Sequence, residues 1–170
     1  MDDGFRESFD AFARRNHARL VGSLRLYCGD LDIAQEAAAD TMVKLLVDWD
    51  RVAAKESPEA WMFRVAFNLV KSSYRRRSAE NRAFGRLNVE PSAEESADVV
   101  TSMVVRQALA ALPRRQAQAI VCRYFLDLDV IESAQVMGVT PGSLKVYTSR
   151  GVSRLRRMLG AELTEEGFRG

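Results

Sequence analysis

Ile131-Glu132-Ser133-Ala134-Gln135-Val136-Met137-Gly138-Val139-Thr140-Pro141-Gly142-Ser143-Leu144-Lys145 reads as a helix, a tight turn and a second helix. Ala134 is small where two crossing helices must approach, and Gly138 suits the left-handed residue that ends the first. Thr140-Pro141 supplies an N-cap followed by a proline whose fixed φ suits the first turn of the next. This is the sequence pattern of a helix-turn-helix. With Leu144 at the centre of a helical wheel, Thr148, Gly151 and Leu155 fall within about 40° of it and form a core-facing stripe. The other side carries Lys145, Val146, Ser149, Arg150, Ser153, Arg156 and Arg157. Such a face can enter a major groove, with Ser143, Lys145, Val146, Ser149 and Arg150 toward base edges and Arg154 and the later arginines on phosphates. A basic helical hairpin also occurs without DNA, but here the turn signature and the charge coincide.

Outward from this hairpin the chain reads as helix almost throughout. Its four prolines stand at 58, 91, 113 and 141, and alternating β-branched runs are scarce. The fold class is all-α. Helices are expected at Met103–Leu112, Arg114–Tyr124, Val130–Met137 and Pro141–Leu159, forming a second bundle over residues 101–160. A first bundle is expected over 1–78. Phe5, Phe9, Phe12, Leu20, Leu24 and Tyr27 repeat at helical spacing up to Gly29-Asp30, and a second helix runs from Ile33 to Trp49. Ser57-Pro58-Glu59 opens a third that ends near Arg77. Residues 79–100, with Glu90-Pro91-Ser92-Ala93-Glu94-Glu95, read as a flexible acidic linker. Fully extended it spans at most roughly 70 to 75 Å, about two turns of duplex. Residues 161–170 are an acidic tail.

The net charge of +2 conceals a strong pattern. Residues 1–50 hold 6 Lys/Arg against 10 Asp/Glu, 51–78 hold 7 against 2, 79–100 hold 2 against 5, and 101–160 hold 9 against 3. Two basic blocks around an acidic stretch suit two contacts with a polyanion, though two solvated helix faces would read the same way. On the third helix Arg64, Asn68, Lys71 and Arg75 form one polar stripe at i, i+4, i+7 and i+11, flanked by Trp61, Phe63 and Phe67, and Arg76 beside it is a further candidate for DNA. Cations beside rings suit melted or single-stranded DNA, while a bundle helix with one wet edge gives the same pattern. The second helix carries Asp32, Glu36 and Asp40, with Lys44 its one base, a character that repels DNA and suits either a protein partner or water.

Other classes find little support. No 18-residue apolar run or signal sequence occurs, so a cytoplasmic protein without membrane contact is expected. Cys28 and Cys122 are far apart and His17 is the single histidine, which argues against a disulfide framework or zinc site. There is no glycine-rich phosphate loop or catalytic triad, so neither enzyme activity nor a cofactor is expected.

Two further stretches carry a family resemblance. Pro58-Glu59-Ala60-Trp61-Met62-Phe63-Arg64-Val65-Ala66-Phe67-Asn68-Leu69 with Tyr74-Arg75-Arg76-Arg77 resembles the segment of extracytoplasmic-function (ECF) sigma factors that engages the minus-ten promoter element. Ala108-Leu109 through Leu112-Pro113-Arg114-Arg115-Gln116, Ala119-Ile120-Val121, Tyr124-Phe125, Gly142-Ser143-Leu144-Lys145 and Arg154-Leu155-Arg156 resemble the region that binds the minus-thirty-five element. The resemblance implies a non-enzymatic initiation factor whose partners are core RNA polymerase and promoter DNA, duplex upstream and melted downstream. It implies core docking through residues 30–47, including Asp32, Glu36, Asp40, Lys44 and Leu45. Strand capture would fall to the third helix and the loop at 49–57, and the linker would thread toward the catalytic channel. An anti-sigma factor is a partner the resemblance leaves open. Ala39, Leu46 and Tyr147 depart from the family's usual glutamine, aromatic residue and arginine. The competing reading is a stand-alone helix-turn-helix regulator, dimeric on a palindromic site.

Overall fold

The computed structural model describes residues 8–84 and 97–160, and among them every regular element is helical. Helix α1 (Phe9–Cys28) begins at Ser8, whose hydroxyl accepts from the Ala11 amide, and ends at Gly29, with φ 72°. Asp30 then caps α2 (Leu31–Val47) by accepting from the Ile33 amide at 3.0 Å. A short α3 (Trp49–Ala53) leads to α4 (Pro58–Phe84), where the Ser57 hydroxyl accepts from the Ala60 amide at 3.2 Å. Gly29-Asp30 and Ser57 are punctuation read from sequence, whereas the caps at Ser8 and Asp30 emerge from the structure. The caps act by satisfying amides that a helix start leaves without partners.

α1, α2 and α4 form the first bundle, closed over a core of Phe12, Leu20, Leu24, Tyr27, Leu45, Met62, Phe63 and Phe67. Tyr27 and Phe67 meet edge to face at 5.0 Å. The buried polar groups Asn16, Ser23 and Thr41 turn back onto carbonyls of their own helices, at Phe12, Leu20 and Ala37.

The second bundle holds α5 (Ala97–Ala111), α6 (Arg114–Ile120), α7 (Val130–Met137) and α8 (Pro141–Leu159). α6 continues into a π-helical turn, Val121–Phe125, whose wider loop is closed by the Leu126 amide donating to the Val121 carbonyl. α7 opens with a reciprocal capping box between Asp129 and Glu132 and ends at Gly138, φ 64°. Thr140 and Pro141 start α8 as the sequence predicts, with the Thr140 hydroxyl accepting from the Ser143 amide. The two bundles touch: α4 packs against α7, and α1 against α5, α6 and the π turn.

Three expectations need correction. The second helix stops two residues early, because the chain breaks at Asp48 (φ −105°) and restarts as α3. The supposed linker is narrower, since residues 79–84 complete α4 and 97–100 open α5. Ala79-Glu80-Asn81-Arg82-Ala83-Phe84 lacks glycine and proline, so a polar helix continues through it. Third, the loop expected over 49–57 is largely α3, and Trp49 packs on Phe9 and Phe12 with ring centroids 5.7 and 4.9 Å away. Phe5, the acidic core of the linker and the tail at 161–170 lie outside the described residues. No helix among those described is long and apolar enough to cross a membrane.

α8 approaches α6 so closely that a Cβ at Gly151 would stand 3.0 Å from Ile120 Cγ1 and 3.4 Å from the Gln116 carbonyl oxygen. Gly151→Val should therefore destabilise the chain by about 1–3 kcal/mol through overpacking, read as a lower urea midpoint. An unchanged midpoint would show that α6 and α8 can part without loss.

Candidate nucleic-acid interface

Burial of Leu144, Gly151 and Leu155 fixes how α8 is rotated. Ser143, Lys145, Val146, Ser149, Arg150 and Arg154 are consequently all exposed, together with Ser153, Arg156 and Arg157. Tyr147, the family departure, is half-buried to one side with the Arg115 guanidinium 5.9 Å from its ring. Beside this face an open cleft of about 340 Å³ adds Arg123 and Tyr124 to Lys145, Ser149 and Arg156. Arg123 was not legible as an interface residue, because it enters the cleft through the π turn; its guanidinium also donates to the Leu128 carbonyl.

On α4 the polar stripe is real but unevenly presented. Arg64, Asn68, Arg75 and Arg76 are exposed, whereas Lys71 and Trp61 are half-buried. Burial, then the nearby Arg115 and Arg75 charges, holds the Lys71 ammonium below its ordinary pKa. Of the three flanking rings, Phe63 and Phe67 are fully buried, leaving Trp61 as the one that can meet a base. Arg76 is held by Glu36 across the bundle at 3.0 Å, and Arg77 reaches Asp30 and Glu36 at 3.4 and 3.7 Å.

On α2, Asp32, Glu36, Asp40 and Lys44 are exposed, but Leu45 is a core residue with no accessible surface. It belongs to the buried side shared with Ala34, Ala37, Ala38 and Thr41, and it is withdrawn from the docking set. The accessible apolar residues are instead Val43, Leu46 and Val47, exposed by 60, 57 and 80%. At 100° per residue Glu36, Asp40, Val43 and Val47 share one stripe, acidic at its start and apolar at its end. Val43, Leu45, Leu46 and Val47 stand close together in the sequence, but which of them faces the core was not legible there.

Residues 12–80 match the family model "Sigma-70 region 2" and residues 102–155 match "Sigma-70, region 4". The chain is a member of the sigma-70 superfamily, in its extracytoplasmic-function family. It is 29% identical to the ECF RNA polymerase sigma factor SigM of Mycobacterium tuberculosis over 92% of this chain and 80% of that one. Identity is 27% to an RNA polymerase sigma-E factor of Streptomyces avermitilis, over 89 and 84% of the two chains. The solved sigma factor RpoE of Bartonella quintana, in complex with the anti-sigma factor NepR, superimposes with a TM-score of 0.77 at 22% identity, covering 91% of this chain and 98% of its own. CnrH, in complex with the cytosolic domain of CnrY, gives 0.66 at 18%, with 91 and 88% covered. As an ECF sigma factor the chain directs RNA polymerase to promoters. The stand-alone regulator is not favoured, because the first bundle is sigma region 2 and not a sensor or dimerisation unit. The family is one of initiation factors rather than enzymes.

Both thiols lie inside the bundles as free cysteines. Burial pushes Cys28 up to about 11 and Cys122 up to about 12. At pH 8 both should stay protonated and sheltered. An aromatic disulfide reagent should therefore leave the folded sigma factor unlabelled over minutes and react with both cysteines in guanidinium. Fast labelling of the folded chain would contradict this packing.

Proposed function

We propose that this sigma factor divides its work among three surfaces. The outer face of α8 reads the duplex minus-thirty-five element, with Ser143, Lys145, Val146, Ser149 and Arg150 toward base edges and Arg154 and Arg156 on phosphates. Arg123 and Tyr124, across the cleft, extend the phosphate contacts. The α4 stripe of Arg64, Asn68, Lys71 and Arg75, with Trp61, holds the melted minus-ten strand. Core polymerase docks on α2 through Asp32, Glu36, Asp40 and Lys44 and through the apolar end at Val43, Leu46 and Val47.

The observation that carries this reading is the rotation of α8. Leu144, Gly151 and Leu155 are consumed by the bundle, so that a mostly basic and hydroxyl-bearing face, with Val146 among it, is left outward on a helix that follows a tight turn. Cations and hydroxyls so placed can reach both phosphates and base edges, which a scattered surface charge does not do. The role of α2 is supported by contrast, because its exposed stripe has acids where DNA would be repelled and aliphatics where a protein can exclude water. RpoE is held by the anti-sigma factor NepR and CnrH by the cytosolic domain of CnrY, which supports a partner of the anti-sigma kind for this chain as well.

Run-off transcription with core RNA polymerase on fragmented DNA of the source organism tests the whole. Transcript starts preceded by two spaced motifs are expected, and no added initiation together with no core binding would overturn the reading. Arg150→Ala should lower initiation by about 5- to 150-fold with relaxed upstream sequence preference, the equivalent of one lost base contact worth about 1–3 kcal/mol. Arg64→Ala should lower open-complex formation on the order of tenfold and leave upstream preference intact. Val47→Glu should change stability by less than about 0.5 kcal/mol while weakening capture of core polymerase.

A further inference from the structure

Val146 is the one aliphatic residue on an outward face of α8 otherwise made of Ser143, Lys145, Ser149 and Arg150. It is 45% exposed, whereas Val152 of the same helix is half-buried against the core. A β-branched residue is a poorer helix former than the lysine and arginine near it, and at this exposure it recovers little through burial. Nothing in the fold calls for a valine here.

Its neighbours on the helix are small. Gly142 and Ser143 stand one turn before it and Ser149 one turn after, with Arg150 beside the latter. A Cβ on Gly142 would meet nothing nearer than Thr140 Oγ1 at 4.0 Å, and the Ser143 hydroxyl is drawn back to that of Thr140, 3.0 Å away. The methyl groups of Val146 can therefore reach the floor of a groove without being held off by bulk on the adjoining turns.

Given the duplex reading proposed for α8, we infer that Val146 selects a thymine in the upstream element by packing on its C5 methyl group. Of the four base edges in the major groove, thymine alone carries an apolar group; the others present acceptors or an amino group that valine leaves without a partner. The residue stands in the N-terminal part of the second helix, from which such motifs touch base edges. Its χ1 is nearly fixed in a helix, so the contact orders little that was free. Met158, the other large exposed apolar residue of α8, lies roughly 18 Å further along the axis and outside a groove about 12 Å wide. The apolar reading falls to Val146.

Deoxyuridine tests the contact, because it pairs as thymine does and lacks only the methyl group. On a promoter found by run-off transcription with the full chain and core polymerase, each thymine of the upstream motif, on both strands, is replaced singly by deoxyuridine. Initiation is then measured at limiting sigma factor. At one position it should fall by about 3- to 10-fold for the native chain, as one methyl contact is lost, and by less than about twofold for Val146→Ser. Val146→Thr, which keeps one methyl in the same shape, should show an intermediate sensitivity. Because the position is exposed, Val146→Ser should unfold at the native urea midpoint. Indifference to deoxyuridine at every position, or an upstream motif without thymine, overturns the thymine contact. Sensitivity that Val146→Ser keeps in full overturns the assignment to Val146. Arg150→Ala, run beside these, tells the two readings apart. If it initiates as well as the native chain, α8 does not read the element and the thymine contact falls with that role; if it is impaired while deoxyuridine is ignored, the thymine contact falls alone.

Discussion

The requirement to keep Phe63 and Phe67 dry governs this molecule. Both rings lie on α4 and are fully buried, Phe67 against Tyr27 and Phe63 beneath the Arg19 guanidinium. Seating them fixes the rotation of α4, which in turn decides that Arg64, Asn68 and Arg75 face outward and that Lys71 sits at the edge. Because α4 packs against α1 and α2 on one side and α7 on another, the same seating also sets where the second bundle rests. Loss of either ring would remove a large buried surface and loosen the placement of every polar group in the stripe.

Local signals were legible in the sequence where one residue has one physical job. Gly29, Gly138, Ser57-Pro58 and Thr140-Pro141 each mark a helix end for reasons confined to the backbone, and each marks it in the structure. The stripe Leu144, Gly151 and Leu155 was readable because α8 packs on a single side. Helical periodicity failed to separate wet from dry on α4, where apolar residues surround most of the axis, so Phe63 and Phe67 read as flanking rings when they are core. It failed for Leu45 on α2 for a related reason: four successive aliphatics, Val43, Leu45, Leu46 and Val47 around Lys44, cannot all face inward, and tertiary packing alone selects which one does.

Three features depend on contacts distant in sequence and had no local signature. The π turn brings Arg123 and Tyr124 alongside α8. Arg114 finds its partners in Tyr27 and Tyr74, tens of residues away. Arg76 and Arg77 meet Glu36 and Asp30 across the bundle. The capping box of Asp129 and Glu132 is different, since its spacing stood open in the sequence and identifies the start of α7 without any structure.

Under the docking proposed for α2, those ion pairs across the first bundle alter what the helix offers core polymerase. Glu36 and Asp30 are shared with arginines of the same chain, so the acidic character counted along the sequence is partly neutralised before any protein arrives. The aliphatic end, Val43, Leu46 and Val47, stays more than half exposed. An association led by such residues buries water-ordering surface more than it pairs charges. Its thermodynamic mark would be a negative heat-capacity change and tolerance of salt. The DNA contacts proposed for the same chain, through arginine and lysine, would be weakened by the same salt. With the surfaces so assigned, ionic strength would separate the two allegiances of this sigma factor, leaving it on the polymerase when it can no longer hold the promoter.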